Sequence, residues 1–391
     1  MKIVEMTAFH VLIPLRKPIK HASHARTETH TVIVRCRLED GAVGWGEGLP
    51  RPYVTGEDID AAWKIISDNE LASRLSGTWL SLKDLLGMLS GFQLAETAQD
   101  GRGCFGNSVR CAIELSVLDA ACRAEDIPFS AITRLVSDTA AIRQEADWAR
   151  YSVAFTAMSR WKQIARALLL RVFGFHQSKV KVGVEGVDDV ALLRRLRGIL
   201  GPQFDLRIDA NEAWTCENLE ERLSELTPFN ITSVEQPVRH EDVAGLAKIR
   251  PRLEVPIMLD ESLCSEFDAR TAIEQGTCDL FNIRLSKCGG FLPSLKLAAI
   301  AHQAGLGYQL GCQVGETGIL SAAGRHFATS IANIRYLEGS FDRFLVKERL
   351  TVEDLTFGYG GYAPALTGPG LGVTIDPEAL QRVTQREQRV M

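Results

Sequence analysis

Short apolar or alternating runs recur through the middle of the chain, and each leads into a charged residue. These charged residues follow one another at intervals of 25 to 28 positions: Lys181, Asp209, Glu235, Asp260 and Lys287. An interval of about 26 residues accommodates one strand, one helix and two short loops. The pattern therefore predicts consecutive β-α units, with the five side chains at the carboxyl ends of successive parallel strands.

The same spacing continues on both sides of this stretch, which brings the number of β-α units to eight. The elements predicted include strands at 152–155, 281–286, 307–310 and 334–338 and helices at 160–172 and 187–200. Eight parallel units form a (β/α)8, or TIM-like, barrel of the α/β class. In such a barrel the carboxyl ends of the strands carry the chemistry.

The chain before the barrel has a different pattern. Alternating residues at 3–11 and 31–38 predict strands, and residues 108–121 have apolar side chains at helical spacing. The Gly- and Pro-rich tail is predicted to return to this region, so that both form an α+β capping domain. The predicted division is a capping domain at 1–130, a catalytic barrel at 131–350 and a returning segment at 351–391.

The composition argues against several classes of protein. A hydrophobic content of 46% and a charged content of 24% are ordinary for a globular protein, and a net charge of −5 gives no reason to expect nucleic acid binding. No apolar run approaches the roughly 18 residues that span a membrane. The first residues resemble a strand and not a signal peptide. Nine scattered cysteines without a C-x-x-C pair indicate reduced thiols in the cytoplasm.

The order Lys, Asp, Glu, Asp, Lys at neighbouring strand ends has a chemical interpretation. Three converging carboxylates raise each other's pKa unless a cation lies among them. Oxygen ligands without His or Cys select Mg²⁺, or alternatively Mn²⁺, over zinc. Lysines on either side of such an ion are candidate acid/base groups, because desolvation and a nearby cation lower the pKa of an amine.

These residues lie in motifs that resemble the enolase superfamily, specifically the muconate lactonizing enzyme subgroup of its mandelate racemase/muconate lactonizing enzyme family. The motifs are Lys179-Val-Lys181, Asp209-Ala-Asn211, Glu235-Gln-Pro237, Asp260-Glu-Ser262 and Lys287-Cys-Gly-Gly290. The resemblance implies that the three acids, Asp209, Glu235 and Asp260, bind the metal. It also implies that Lys181 and Lys287 are acid/base partners on opposite faces of the substrate, and that Lys179 holds the substrate carboxylate.

The resemblance also suggests where a substrate makes its other contacts. Two loops in the N-terminal region, at 21–26 and 50–56, are expected to close over the barrel mouth and set substrate preference, which makes His24 and Tyr53 candidates. Glu316, after the seventh strand, is a further candidate. The dipeptide epimerases of the family carry Asp-x-Asp near the eighth strand, and Tyr336-Leu-Glu-Gly-Ser340 departs from that motif.

The predicted reaction is removal of the α-proton of a small carboxylate substrate to give an enediolate, followed by racemisation or epimerisation of an amino acid derivative. A muconate-type cycloisomerase and a dehydratase acting on a hydroxy acid are alternatives within the family. A metal-free Schiff-base aldolase and a non-catalytic barrel are alternatives of another class. The expected partners are the substrate and further copies of the chain in a homo-oligomer, with neither nucleic acid nor a membrane.

Overall fold

The computed structural model describes residues 1–20, 25–68, 71–94, 101–156 and 158–391. Within these residues the strands are β1 Ile3–Lys20, β2 Ala25–Leu38, β3 Val43–Gly48, β4 Trp148–Arg150, β5 Val153–Phe155, β6 Gln177–Lys181, β7 Asp205–Asp209, β8 Ile231–Glu235, β9 Ile257–Leu259, β10 Leu280–Ile283, β11 Gly307–Leu310, β12 Ile334–Leu337, β13 Tyr362–Pro364 and β14 Thr384–Arg389.

The α-helices of the same residues lie mainly between the strands of the second half. They are α1 Pro52–Thr55, α2 Ile59–Asp68, α3 Leu71–Arg74, α4 Leu82–Gly91, α5 Asn107–Ala124, α6 Arg160–Val172, α7 Asp189–Leu200, α8 Leu219–Leu226, α9 Leu246–Ile249, α10 Glu266–Gln275, α11 Phe291–Gln303, α12 Gly318–Ser330, α13 Asp342–Leu345 and α14 Pro377–Val383. Short 3-10 turns complete several connections.

The strands β5 to β12 form one parallel sheet in chain order, and this sheet is the predicted (β/α)8 barrel. The first and last strands meet through Ser152, whose backbone N–H and hydroxyl both donate to the carbonyl of Leu337, at 2.8 and 3.0 Å. The predicted helix at 160–172 is confirmed as α6, and α7 begins two residues later than predicted.

Alternation along the barrel strands places polar side chains inside. On β7, Leu206 and Ile208 are completely buried and apolar, whereas Arg207 and Asp209 point to the other face. Lys179 shows that this other face is the barrel interior, because its amine reaches both Asp209 and Glu235. The interior of this barrel therefore carries charged side chains, and the apolar side chains of β7 lie on its outer face.

The N-terminal region forms a four-stranded antiparallel sheet in the order β14-β1-β2-β3, with α5 packed on it. Glycines on β3 allow a very close approach: a Cβ on Gly46 would lie 2.0 Å from the carbonyl oxygen of Ala112. Gly48 has the same relation to Ser108, at 1.8 Å. Only a residue without a side chain fits there. The division of the chain at residues 130 and 350 stays a prediction.

The sixth barrel strand is shorter than the predicted 281–286. It ends at Ile283, and the chain then turns, with the N–H of Cys288 donating to the carbonyl of Arg284 at 2.9 Å. The N–H of Gly290 donates to Leu285 in the same turn. The apolar pattern failed here because Leu285 is buried within the turn and not on a strand.

Two further findings concern the sequence-based expectations. Among the described residues, no helix combines the length and the apolar character needed to cross a membrane. All nine cysteines are free thiols.

Candidate active site

The carboxyl ends of β6, β7 and β8 lie side by side, because the parallel strands pair in register. Lys181 is opposite Asp209, and Asp209 is opposite Glu235. Asp260 directly follows β9, and Lys287 lies in the turn after β10. The structure thus brings the five spaced residues to one end of the barrel, and each is less than a tenth exposed.

Lys179 is the centre of one group of ion pairs inside the barrel. Its amine lies 3.0 Å from Glu235 Oε1, 3.3 Å from Asp209 Oδ2 and 3.0 Å from Glu338 Oε1. Burial alone would lower the pKa of Lys179, but the three carboxylates raise it well above its ordinary value. Lys179 is therefore a fixed positive charge.

Arg284 is the second cation between the acids. Its guanidinium donates to Asp260 Oδ2 and lies 3.4 Å from Glu235 Oε1. Burial would raise the pKa of Asp260, but the charges of Arg284 and Lys287 hold it at about 2. Burial raises the pKa of Glu235 to about 7, against the opposing effect of Lys179.

The two lysines predicted as acid/base partners have different surroundings. The amine of Lys287 donates to Asp260 Oδ1 at 2.8 Å and to the carbonyls of Asp260 and Asn282 at 2.7 and 2.8 Å. The amine of Lys181 donates to Asn211 Oδ1 at 2.6 Å. Burial lowers the pKa of Lys181, whereas Asp260 raises that of Lys287 despite burial. Lys181, on β6, and Lys287, in the turn after β10, lie on either side of the three acids.

The donor set fits a hard divalent ion, since all three acids offer oxygen and their charges need compensation. In the described residues that compensation comes from Lys179, shared by Asp209 and Glu235, and from Arg284, shared by Glu235 and Asp260. No three acidic, histidine or cysteine side chains in this part of the chain have the spacing of a formed metal site. The oxygen ligands that the three acids offer thus suit Mg²⁺. In this structure the side chains of Lys179 and Arg284 lie between those acids.

Gln236 organises the loop that carries Asp260. Its side-chain oxygen accepts hydrogen bonds from the N–H of Asp260 at 2.9 Å and from the N–H and hydroxyl of Ser262 at 3.2 and 2.8 Å. Its amide nitrogen donates to the carbonyl of Val238. The backbone of Gln236 is left-handed, with φ 35°. Gln236 is completely buried, so its side chain fixes the position of Asp260, to which it is hydrogen-bonded.

Replacing Gln236 by leucine is expected to lower the free energy of unfolding by about 2–4 kcal/mol, because buried donors of Asp260 and Ser262 lose their acceptor. Urea denaturation followed by circular dichroism measures this. Gln385→Leu is the matched control, since Gln385 is exposed and its side chain contacts the carbonyl of Val383. Equal stability of the two variants would contradict the role assigned to Gln236.

Sequence reasoning missed a charged pair beneath Lys179. Arg207 is completely buried and donates to Glu338 Oε1 at 2.6 Å and to the hydroxyl of Ser152 at 3.0 Å. Its guanidinium also lies over the ring of Tyr336, 4.4 Å from the centroid. The position of Arg207, two residues before Asp209 and hence on the same face of the strand, was the signal that could have found it.

Of the predicted loop contacts to the substrate, Tyr53 and Glu316 lie within the described residues. Tyr53 is on α1, with the guanidinium of Arg26 5.3 Å from its ring centroid, and the neighbouring Arg51 donates to the carbonyl of Val314 at 2.9 Å. Glu316 accepts from the N–H of Gln313 at 2.6 Å, and burial raises its pKa to about 8. His24 lies outside the described residues.

Comparison with known families finds two matches that together span most of the chain. Residues 162–379 match the model described as enolase C-terminal domain-like. Residues 3–132 match the model of the mandelate racemase/muconate lactonizing enzyme N-terminal domain.

Three relatives represent the similarity to individual proteins. An L-Ala-D/L-Glu epimerase of Bacillus subtilis (strain 168) is 29% identical over 95% of this chain and 97% of its own. The crystal structure of N-succinyl Arg/Lys racemase from Bacillus cereus ATCC 14579 has a TM-score of 0.86 at 25% identity and covers 100% of both chains. A dipeptide epimerase from Cytophaga hutchinsonii, complexed with Mg and D-Ala-L-Val, has a TM-score of 0.84 at 26% identity, again over 100% of both chains.

Proposed function

Since this chain belongs to the mandelate racemase/muconate lactonizing enzyme family of the enolase superfamily, we propose that it racemises or epimerises an amino acid derivative with Mg²⁺ as cofactor. The observation that carries the proposal is the placement of Lys181 and Lys287 on the two sides of three buried acids. A reaction that removes a proton from one face of a carbon and returns one to the other needs two opposed acid/base groups.

In the proposed reaction, the neutral amine of one lysine takes the α-proton of the substrate. The electron pair of the broken C–H bond moves into the carboxylate, which gives an enediolate. The ammonium of the other lysine then donates a proton to the opposite face of the α-carbon, and the C–H bond forms again with inverted configuration. Each turnover exchanges the charges of Lys181 and Lys287, which must be reset before the next forward reaction.

Asp209, Glu235 and Asp260 are the proposed metal ligands. Bound Mg²⁺ would stabilise the negative charge that develops on the substrate carboxylate. Lys179, whose positive charge is fixed by its neighbours, is proposed to attract the same carboxylate. The Cytophaga hutchinsonii relative complexed with Mg supports the choice of metal, and Mn²⁺ stays an alternative with the same ligand preference.

An N-acyl amino acid is the substrate class that the site favours over a dipeptide. A dipeptide carries a free ammonium group. Binding that group requires a carboxylate in the site that has no other ion-pair partner. Glu338, after β12, is held by Lys179 and by Arg207 at 3.0 and 2.6 Å, and these cations keep its pKa at about 2 although burial would raise it. Similarity to the N-succinyl Arg/Lys racemase supports the same choice.

The test is deuterium incorporation from D2O, followed by NMR and chiral chromatography, with N-succinyl and N-acetyl amino acids beside dipeptides, muconates and hydroxy acids. We expect exchange at the α-carbon with inversion for N-acyl amino acids, loss of both after treatment with EDTA, and recovery with Mg²⁺. Ring closure of a muconate or loss of water from a hydroxy acid would replace the proposal by the cycloisomerase or the dehydratase. Covalent trapping of a carbonyl substrate by borohydride without metal would identify an aldolase.

The proposed location is the cytoplasm, which suits nine free thiols.

A further inference from the structure

The loop after β7 contains two consecutive residues with a left-handed backbone. Asn211 has a φ of 42° and Glu212 has a φ of 66°. Seven non-glycine residues of the described chain have a positive φ, and these two are the only adjacent ones. Asparagine adopts such a conformation more readily than most residues, whereas glutamate adopts it rarely. A strained backbone of this kind persists only where its surroundings hold it, and it is common near active sites.

One residue of the following loop, His240, holds the side chain of Glu212. Glu212 Oε1 accepts a hydrogen bond from the backbone N–H of His240 at 2.8 Å and lies 2.7 Å from its ring Nδ1. Because a carboxylate only accepts hydrogen bonds, Nδ1 is the donor. This hydrogen bond is also the main reason why the pKa of His240 is raised. With side chains 22% and 30% exposed, Glu212 and His240 form a contact that is partly shielded from water.

The loops after β7 and β8 are joined along their backbones as well. The N–H of Glu212 donates to the carbonyl of Gln236 at 2.8 Å, and that of Trp214 donates to the carbonyl of Pro237 at 3.0 Å. Trp214 is also buried. The loop after β8 therefore supports the strained backbone of the loop after β7, and His240 adds a side-chain contact to that support.

Asn211 links this strained backbone to a lysine of the proposed reaction. Its Oδ1 accepts a hydrogen bond from the amine of Lys181 at 2.6 Å, and its own N–H donates to Asp209 Oδ1 at 3.0 Å. An amine that takes a proton from a carbon atom must have its lone pair directed at that proton. Glu212 and His240 hold the backbone from which the Asn211 side chain extends, so they determine where its Oδ1 meets the amine of Lys181.

Lys287, on the other side of the acids, is held by different contacts. Its amine donates to Asp260 Oδ1 at 2.8 Å and to the carbonyls of Asp260 and Asn282 at 2.7 and 2.8 Å. These acceptors belong to β10 and to the residue directly after β9, and not to the loop of Asn211 and Glu212. A change in the loop after β7 should therefore act on Lys181 and leave Lys287 in place.

We propose that His240 and Glu212 are positioning residues, which fix Asn211 and through it the amine of Lys181. The proposal rests on the racemase or epimerase reaction proposed above. Neither residue is assigned a contact with the substrate or the metal. Their effect is directional: they serve the face of the substrate that Lys181 serves, and proton transfer by Lys287 does not need them. An ion pair that only stabilised the two loops would affect both faces alike.

The experiment measures the loss of the α-proton in D2O separately for the two pure enantiomers of a substrate that the wild type racemises. Lys181→Ala identifies the enantiomer whose proton Lys181 removes. His240→Ala is expected to slow exchange of that enantiomer by about 10-fold, because a hydrogen bond to a charged group is lost. Exchange of the other enantiomer should change by less than about threefold. Arg239→Ala is the matched control and should leave both rates unchanged, since Arg239 is one residue away and pairs with the exposed Glu241.

Two further variants show whether His240 acts through Asn211. In His240→Asn the side-chain amide replaces Nδ1 as the donor, so exchange should recover to within about threefold of the wild type. Asn211→Ala/His240→Ala should be no slower than Asn211→Ala alone, because the contact that His240 positions is already absent. Urea denaturation of each variant separates a displaced side chain from lost folding.

Crystal structures of the wild type and of His240→Ala give a readout that needs no substrate. In the variant we expect Asn211 Oδ1 to lie more than about 3.5 Å from the amine of Lys181, with Lys287 unmoved. Equal slowing of both enantiomers by His240→Ala, additive losses in the double variant or an unmoved Asn211 would overturn the proposal. A wild type that racemises no amino acid derivative would remove the proposed function instead, and the two crystal structures would still decide whether His240 positions Lys181.

Discussion

Loss of either Lys181 or Lys287 is expected to slow inversion at the α-carbon strongly. Replacing one of them by alanine removes a proton donor or acceptor from one face of the substrate, so the rate of racemisation should fall by about 10²- to 10⁴-fold. Exchange of the α-proton with D2O should survive for at most one enantiomer in each variant, and the surviving enantiomer should differ between the two. Chiral chromatography of the deuterated product measures both quantities.

The control for these variants is Lys296→Ala. Lys296 lies on α11, is about half exposed and pairs with Glu266, so its loss should leave the reaction unchanged. Unfolding in urea, measured on the same preparations, separates lost chemistry from lost folding, which matters because Lys287 is completely buried with three acceptors. Inversion that persists in both lysine variants would remove the two-base mechanism.

Removal of Glu338 should be among the most destabilising single substitutions in the barrel. Glu338→Leu leaves the guanidinium of Arg207, which is completely buried, without its carboxylate. Breaking one side of a buried ion pair typically costs about 3–5 kcal/mol. The free energy of unfolding, from urea denaturation, should fall by that amount.

The double variant Arg207→Met/Glu338→Leu tests this explanation. It removes both charges, so its loss should be smaller than the sum of the two single losses and smaller than that of Glu338→Leu alone. Asp354→Ala is the matched surface control, because its ion pair with Arg343 is exposed and such pairs contribute about 0–1 kcal/mol. Additive losses in the double variant would contradict a charge-driven effect.

The positions of the acids could be predicted from the sequence because each follows a short apolar run. Asp209, Glu235 and Asp260 come at or directly after the end of a buried strand, and a constant spacing places successive strand ends together. At these three positions the local sequence pattern and the topology of the barrel lead to the same prediction. Lys287 was placed correctly at the same end of the barrel although its predicted strand was too long, since the turn after Ile283 keeps it beside Asp260.

The electrostatics of the site could not be predicted in the same way. The sequence argument required a metal because three acids would repel one another, yet Lys179 and Arg284 lie between them and offset part of that repulsion. Arg207 and Glu338 are 131 residues apart and meet only when the barrel closes. Such contacts depend on the positions of side-chain tips across the barrel, which spacing along the chain does not encode.

The pairing of β14 with β1 has a consequence for how this protein is made. Thr7 pairs with Arg389, so β1 has a free edge on that side until the ribosome has added some 380 further residues. At a translation rate of roughly 5–20 residues per second, that edge of β1 stays unpaired for about 20–80 s. An unpaired edge is a template for association with other chains. The nascent protein should therefore benefit from chaperones that shield β1, and slower translation should lower the yield of native protein.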